Sequence, residues 1–141
     1  MSIWQRPISL EDLNGRWAAE LADTMGLVVT AIRDDGLTAV LPVKRENQQP
    51  QGVLHGGITC YVAESLASVA SNFCISGHGV AVGMAVTASH VRAVRDGNAR
   101  IEVTLKHCGR RTHVWAYELH DASNRLASFG TVTTAVMLPP S

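Results

Sequence analysis

Gln49-Pro50-Gln51-Gly52-Val53-Leu54-His55-Gly56-Gly57 runs without a break into Ile58-Thr59-Cys60-Tyr61-Val62-Ala63-Glu64-Ser65, and the reading of the chain turns on this stretch. From about Gly57 to Phe73 nearly every residue is small or apolar, which predicts a helix buried on most of its sides. Glu64 is the only ionised group from Gly56 through Phe73. A carboxylate there carries a desolvation cost that a surface residue avoids. Gly56 and Gly57 fall where the helix begins. Lacking side chains, they let other groups come close, and their N–H groups are expected to be free donors at the positive end of the helix dipole. Donors in that position suit a developing oxyanion. Singly, a His before a Gly pair reads as a turn residue and a Glu in a helix as a surface charge; only the combination points to chemistry.

On either side of this helix the pattern changes to strands. Upstream, Leu27 to Ile32 and Leu37 to Val43 are β-prone runs around Arg33-Asp34-Asp35-Gly36, where Asp-Gly is a hairpin signal. Downstream, Val80 to Val94 reads as one long strand, followed by a turn at Arg95-Asp96-Gly97-Asn98. Ala99 to His107 alternates Ile101, Val103 and Leu105 with Arg100, Glu102, Thr104 and Lys106, the period of a half-buried strand. Thr112 to His120 and Arg125 to Met137 complete the set around Asp121-Ala122-Ser123-Asn124. At the N-terminus, Ser9 caps a short amphipathic helix with Asp12 in the capping-box position and Leu10, Leu13, Trp17, Ala18 and Leu21 at helical spacing. The order predicts an α+β fold: helix, two strands, a long apolar helix, then four strands in antiparallel hairpin style. Such a sheet hides one face by curving around the helix, with a partner subunit covering what remains.

The 141 residues are 46% apolar and 17% charged, which fits a single domain over 1–141 with a sizeable core. Twelve basic and twelve acidic residues cancel, so no overall field favours nucleic acid or an anionic membrane. Three irregularly spaced cysteines, Cys60, Cys74 and Cys108, fit a reducing compartment better than a disulfide framework. Met1 to Pro7 has no apolar signal core, no run is long enough to span a bilayer, and the cytoplasm is the expected location.

His55 and Glu64 lie nine positions apart, roughly 13 Å along a helix axis, too far to serve one small reacting centre. Either one of them is irrelevant or a two-fold axis completes the site, with His55 and the Gly56 N–H of one chain facing Glu64 of another. Cys60, Glu64 and Ser68 share one helix stripe, so Ser68 either orients the carboxylate or a water, or is a small residue for close packing.

The pattern Gln49-Pro50-x-Gly52-x-x-His55-Gly56-Gly57 followed by Ala63-Glu64-Ser65 resembles the hotdog-fold acyl-CoA thioesterases. It is most similar to their aryl-CoA branch, which includes the Arthrobacter-type 4-hydroxybenzoyl-CoA, the 1,4-dihydroxy-2-naphthoyl-CoA and the enterobactin proofreading thioesterases. The likeness extends from Ile3-Trp4 through Ser89-His90-Val91-Arg92 to Thr133-Thr134-Ala135-Val136. It implies a curved antiparallel sheet wrapped around one central helix. It also implies hydrolysis of an acyl-CoA, with coenzyme A as part of the substrate and no separate cofactor. Glu64 would be the nucleophile or general base, and the Gly56 N–H would polarise the carbonyl with His55 as a neighbouring donor. Gln49 would place the carbonyl or the water, and Ser68 would assist the water. The implied assembly is a dimer with shared sites, paired into a dimer of dimers. Gln51, Cys60 and Tyr61 depart from the small or aromatic residues expected of relatives, and those departures bear on the acyl group more than on the chemistry.

Coenzyme A phosphates call for cations. Arg92 with Arg95 beside Asp96-Gly97, and Arg110 with Arg111 after Gly109, are the two clusters that could supply them, against the plainer reading of solvated turn charges. His90 shares a strand face with Arg92 and is a rim or core residue. No His-x-x-x-His, His-x-His or Cys-x-x-Cys spacing occurs, so no metal site is expected. Two other readings keep the same fold: a proofreading thioesterase directed to an acyl carrier protein, and a non-catalytic acyl-CoA-binding module.

Overall fold

The structure, a computed structural model, describes residues 1–139. The N-terminal segment is less regular than a single helix. Ser9 caps α1 (Leu10–Asp12), its hydroxyl accepting the Asp12 N–H at 3.1 Å, as the capping position predicts. A π-helical turn over Leu13–Trp17 then separates it from α2 (Ala19–Met25). Asn14 lies in that turn, and its amide both donates to the Val29 carbonyl and accepts the Val29 N–H, tying the segment to the first strand. Leu13, Ala18 and Leu21 are buried, whereas Leu10 and Trp17 remain partly exposed.

β1 (Val28–Arg33) and β2 (Gly36–Pro42) form the expected hairpin, but the turn residues are Asp34-Asp35 and Gly36 already pairs with Arg33. The glycine serves the neighbouring strand instead: a Cβ there would overlap the Val103 carbonyl. α3 (Gly56–Phe73) follows, then β3 (Val80–His90), β4 (Asn98–Cys108), β5 (Thr112–His120) and β6 (Leu126–Met137). All pairings in the six-stranded sheet are antiparallel, in the order β1-β2-β4-β5-β6-β3.

That order corrects one expectation. β3 and β4 are consecutive across the turn at Arg95–Asn98, yet they do not pair. α3 carries the chain across the sheet so that β3 docks on β6 at the far edge, and β4 returns to the free side of β2.

Alternation along β4 puts Ala99, Ile101 and Val103 inside until a bulge between Leu105 and His107 breaks the pattern. These side chains, with Trp115, Tyr117 and Leu119 of β5, meet Val62, Ala63, Leu66, Ala67 and Ala70 of α3. The helix is therefore cradled in the sheet, as its composition requires. Three buried polar side chains of this core satisfy one another: the Trp115 indole donates to Ser71 Oγ at 2.7 Å, and Ser71 Oγ lies 2.8 Å from Thr134 Oγ1.

α3 runs antiparallel to β3. Asn72 bonds both backbone groups of Ala81, Glu64 lies against Gly83, and Gly56 lies against His90. Among the described residues no strand pairs with the other edge of β3, a strand that carries exposed Val80, Val82 and Met84. Among the described residues, no helix is long and apolar enough to cross a membrane.

Candidate active site

The N-terminus of α3 opens onto a cleft of about 380 Å³ whose lining includes Gln49, Gly56, His90, Arg92 and Ser128. The loop leading in is closed by backbone bonds between Gln49 and both Val53 and Gly52, with Gly52 at φ 77°. Gln49 Oε1 accepts the Gln51 N–H at 2.7 Å, which leaves the Gln49 NH₂ group as the free end of that side chain.

His55 is the N-cap of α3. Its Nδ1 accepts the Gly57 N–H at 2.8 Å. This changes the expectation of two free glycine donors. Gly57 is capped by the histidine's own ring, and the N–H of Gly56, the helix's first residue, has no partner among the described residues. The same bond sets the ring, because an Nδ1 that accepts leaves the proton of the neutral imidazole on Nε2.

Glu64 sits two turns further along the helix, half-buried, with its carboxylate lying over Gly83 in β3. A Cβ built on Gly83 would stand 2.5 Å from Glu64 Oε2, so only glycine leaves this seat open. Its neighbour on the stripe, Cys60, has its thiol pushed up by burial and then by the nearby Glu64 charge. Ser68 is half-buried on that stripe too, and its carbonyl accepts from Asn72.

The chain thus brings Gln49, His55, Gly56, His90 and Arg92 to one end of α3 and leaves Glu64 and Ser68 away from them. The basic clusters divide in the same way. Arg92 lines the donor cleft and Arg95 a smaller neighbouring one with Asp96, Asp121 and Arg125. Gly109, Arg110 and Arg111 occupy the β4–β5 turn, whose strands align through β6 with the Val82–Gly83 end of β3. They belong to the Glu64 end of the sheet. Among the described residues, no three His, Cys, Asp or Glu side chains cluster as metal ligands would.

An apolar helix in a curved antiparallel sheet, with donors at its N-terminus and a lone carboxylate midway, has clear counterparts among known proteins. The family model of the thioesterase superfamily matches residues 51–128. This chain belongs to the thioesterase superfamily. Over 135 residues it is 38% identical to 1,4-dihydroxy-2-naphthoyl-CoA hydrolase of Escherichia coli, covering 96% of this chain and 99% of that protein. It is 36% identical to the proofreading thioesterase EntH of Cronobacter turicensis, over 96% of this chain and 98% of that one. A solved thioesterase from Haemophilus influenzae superposes with a TM-score of 0.91 at 30% identity, covering 96% of this chain and 95% of that chain. A mutant thioesterase from Pseudomonas aeruginosa gives 0.92 at 34%, covering 98% and 100%. The architecture is the hotdog fold expected from the resemblance, and this superfamily member is a thioester hydrolase.

Three residues of this thioesterase were not foreseen. Gly83 had a signal, since a glycine inside a strand pattern marks a bulge or a close approach, and β3 does shift register between Gly83 and Ala85. Ser128 and Tyr117 had none. They meet the site through the pairing of β6 with β3, a strand distant in sequence.

Proposed function

We propose that this thioesterase hydrolyses an acyl-CoA with an aromatic or similarly compact acyl group, and that each active site is shared by two subunits. One subunit supplies Gln49, His55, Gly56, His90 and Arg92; the other supplies Glu64, Ser68 and the Gly109–Arg111 turn. The observation that carries this reading is the separation within one chain between the donor cleft and the carboxylate seated on Gly83. Half of the machinery lies at the N-terminus of α3 and half along its middle, and an antiparallel copy brings the one half against the other. The open β3 edge, with Val80, Val82 and Met84 exposed, offers the surface for that copy.

The chemistry then divides by residue. The Gly56 N–H and the Nε2–H of His55 stabilise the oxyanion, and the Gln49 NH₂ orients the carbonyl. Glu64 either attacks the carbonyl carbon, expelling the coenzyme A thiolate and leaving a mixed anhydride that water then hydrolyses, or takes the proton of a water whose oxygen attacks that carbon and expels the thiolate; in both routes the thiolate leaves without strong acid assistance. Arg92 and the Arg110–Arg111 pair meet the nucleotide phosphates. The cleft is compact, and the chain matches a hydrolase named for an aryl-CoA over nearly its whole length; both favour an aryl acyl group. A dimer of dimers in the cytoplasm, with no cofactor besides the substrate's own coenzyme A, completes the proposal.

Thiol release across aryl, short-chain and long-chain acyl-CoA esters tests it. Preference for aryl esters is the expected result. Saturable binding with no thiol released from any ester would overturn it in favour of a binding module.

A further inference from the structure

We propose that Tyr117 and Ser128 are positioning residues that hold His90 as the tautomer protonated on Nε2. In that form His90 presents a third N–H donor beside those of Gly56 and His55. The proposal rests on the donor cleft being the thioester site, and it assigns a role to two buried residues that the reaction as described does not use.

The three side chains form a line. Tyr117 OH lies 2.8 Å from Ser128 Oγ, and Ser128 Oγ lies 2.9 Å from His90 Nδ1. Tyr117 is 1% exposed and Ser128 2%, so neither hydroxyl is open to bulk solvent, whereas the far side of the His90 ring faces the cleft. At that far side, a Cβ built on Gly56 would stand 2.6 Å from Nε2, which places this nitrogen directly against the first residue of α3.

Counting protons settles their direction. Ser128 is the one hydrogen-bond partner of the Tyr117 hydroxyl among the described residues, and burial, the largest influence on this phenol, pushes it up and keeps it protonated. Its proton therefore points at Ser128 Oγ. The Ser128 proton then has one acceptor left, His90 Nδ1. An Nδ1 that accepts puts the ring's own proton on Nε2, against Gly56. The reverse polarity would leave a buried hydroxyl proton with no acceptor, which native interiors rarely tolerate. His55 reaches the same tautomer independently through the Gly57 N–H. Both rings beside the helix N-terminus are consequently donors of the same kind, each set by a bond on its Nδ1.

The test reads the tautomer and the turnover separately. In nitrogen-labelled protein, with the His90 signals assigned by their loss in His90→Gln, Nε2 is expected to be protonated and Nδ1 bare. Ser128→Ala should turn this into a mixture and lower kcat at least about tenfold, with KM changed less than about twofold, because a donor to the transition state is misdirected while binding is kept. Ser128→Thr should restore both, and Tyr117→Phe should fall between. A wild-type His90 protonated on Nδ1 would overturn the proposal even if Ser128→Ala does not fold. So would a folded Ser128→Ala with unchanged tautomer and kcat. Wild-type protein that turns over no acyl-CoA yet shows the Nε2 proton would support the relay while removing the thioester reading.

Discussion

The carboxylate end of Glu64 occupies the space that a side chain on Gly83 would need. A Cβ built on Gly83 would stand 2.5 Å from Oε2 and 2.7 Å from Cδ, contacts that real structures do not keep. The clash is with the tip of a flexible side chain rather than with backbone, so Glu64 would yield and the strand would not. Gly83 also lies outside the left-handed region, so alanine fits its backbone. Gly83→Ala should therefore leave the melting temperature near that of the wild type, a change within about 1 kcal/mol, while kcat falls at least about tenfold. Steady-state kinetics alongside thermal unfolding check this; full activity in a folded Gly83→Ala would mean that the seat does not position Glu64.

Shared sites make a sharper demand. Glu64→Ala and Gln49→Ala should each lose about 100-fold or more in turnover. Mixed by co-expression, they should recover about a quarter of wild-type activity, since half of the random dimers are hybrids and each hybrid holds one intact site. Activity that stays at the level of the single variants would place both residues in the same subunit's site.

The parts legible in the sequence are those set by near neighbours. The span of α3, the Ser9 cap and the alternation of β4 all follow from local periodicity, and each is present. The position of β3 was not legible, because it depends on where the α3 crossover delivers the chain and not on the β-prone run itself. The site divides on the same line. The donor loop and the carboxylate are contiguous in sequence and could be read. The Gly57 cap is formed by the side chain of the residue two before it, within reach of a closer reading of His55 as an N-cap. Gly83, Ser128 and Tyr117 enter through strand pairing and helix docking, which no short window contains.

The open edge of β3 should hold the assembly together. Val82 is 44% exposed on it, a poor state for a long apolar edge strand. Val82→Asp places a charge there without touching the core or the donor cleft. Analytical ultracentrifugation should show smaller species with native circular dichroism, and turnover should fall with the loss of assembly. A Val82→Asp protein that keeps both wild-type mass and activity would place the contact elsewhere.

Thiol chemistry should sort the three cysteines. Burial, with a smaller contribution from Cys108, pushes the Cys74 thiol up to about 12, and burial followed by the Glu64 charge raises Cys60. Cys108 is exposed at the end of β4. The thiolate is the reactive form, so iodoacetamide at neutral pH should label Cys108 first and Cys74 last. Peptide mapping over a time course reads the order, and early labelling of Cys74 would mean that the C-terminal end of α3 opens readily.

The β5–β6 turn should give the protein an acid-sensitive element. Asp121 accepts the N–H groups of Ser123 and Arg125 and pairs with the Arg125 guanidinium at 2.8 Å. Chiefly through the Arg125 N–H, and further through that guanidinium and the Ser123 N–H, its carboxyl is held below its ordinary value of 3.8. A carboxyl depressed in the folded state binds its proton less readily there than in the unfolded chain. Its contribution to stability is therefore complete above 3.8 and is lost as pH falls through the lower folded value. Asp121→Asn keeps the shape and one acceptor oxygen but removes the charge. The gap in melting temperature between wild type and Asp121→Asn should be full at neutral pH and close as the pH is lowered beneath 3.8. Thermal unfolding of both proteins across that range measures the gap, and a difference that stays constant with pH would show that the Asp121 charge contributes nothing to the fold.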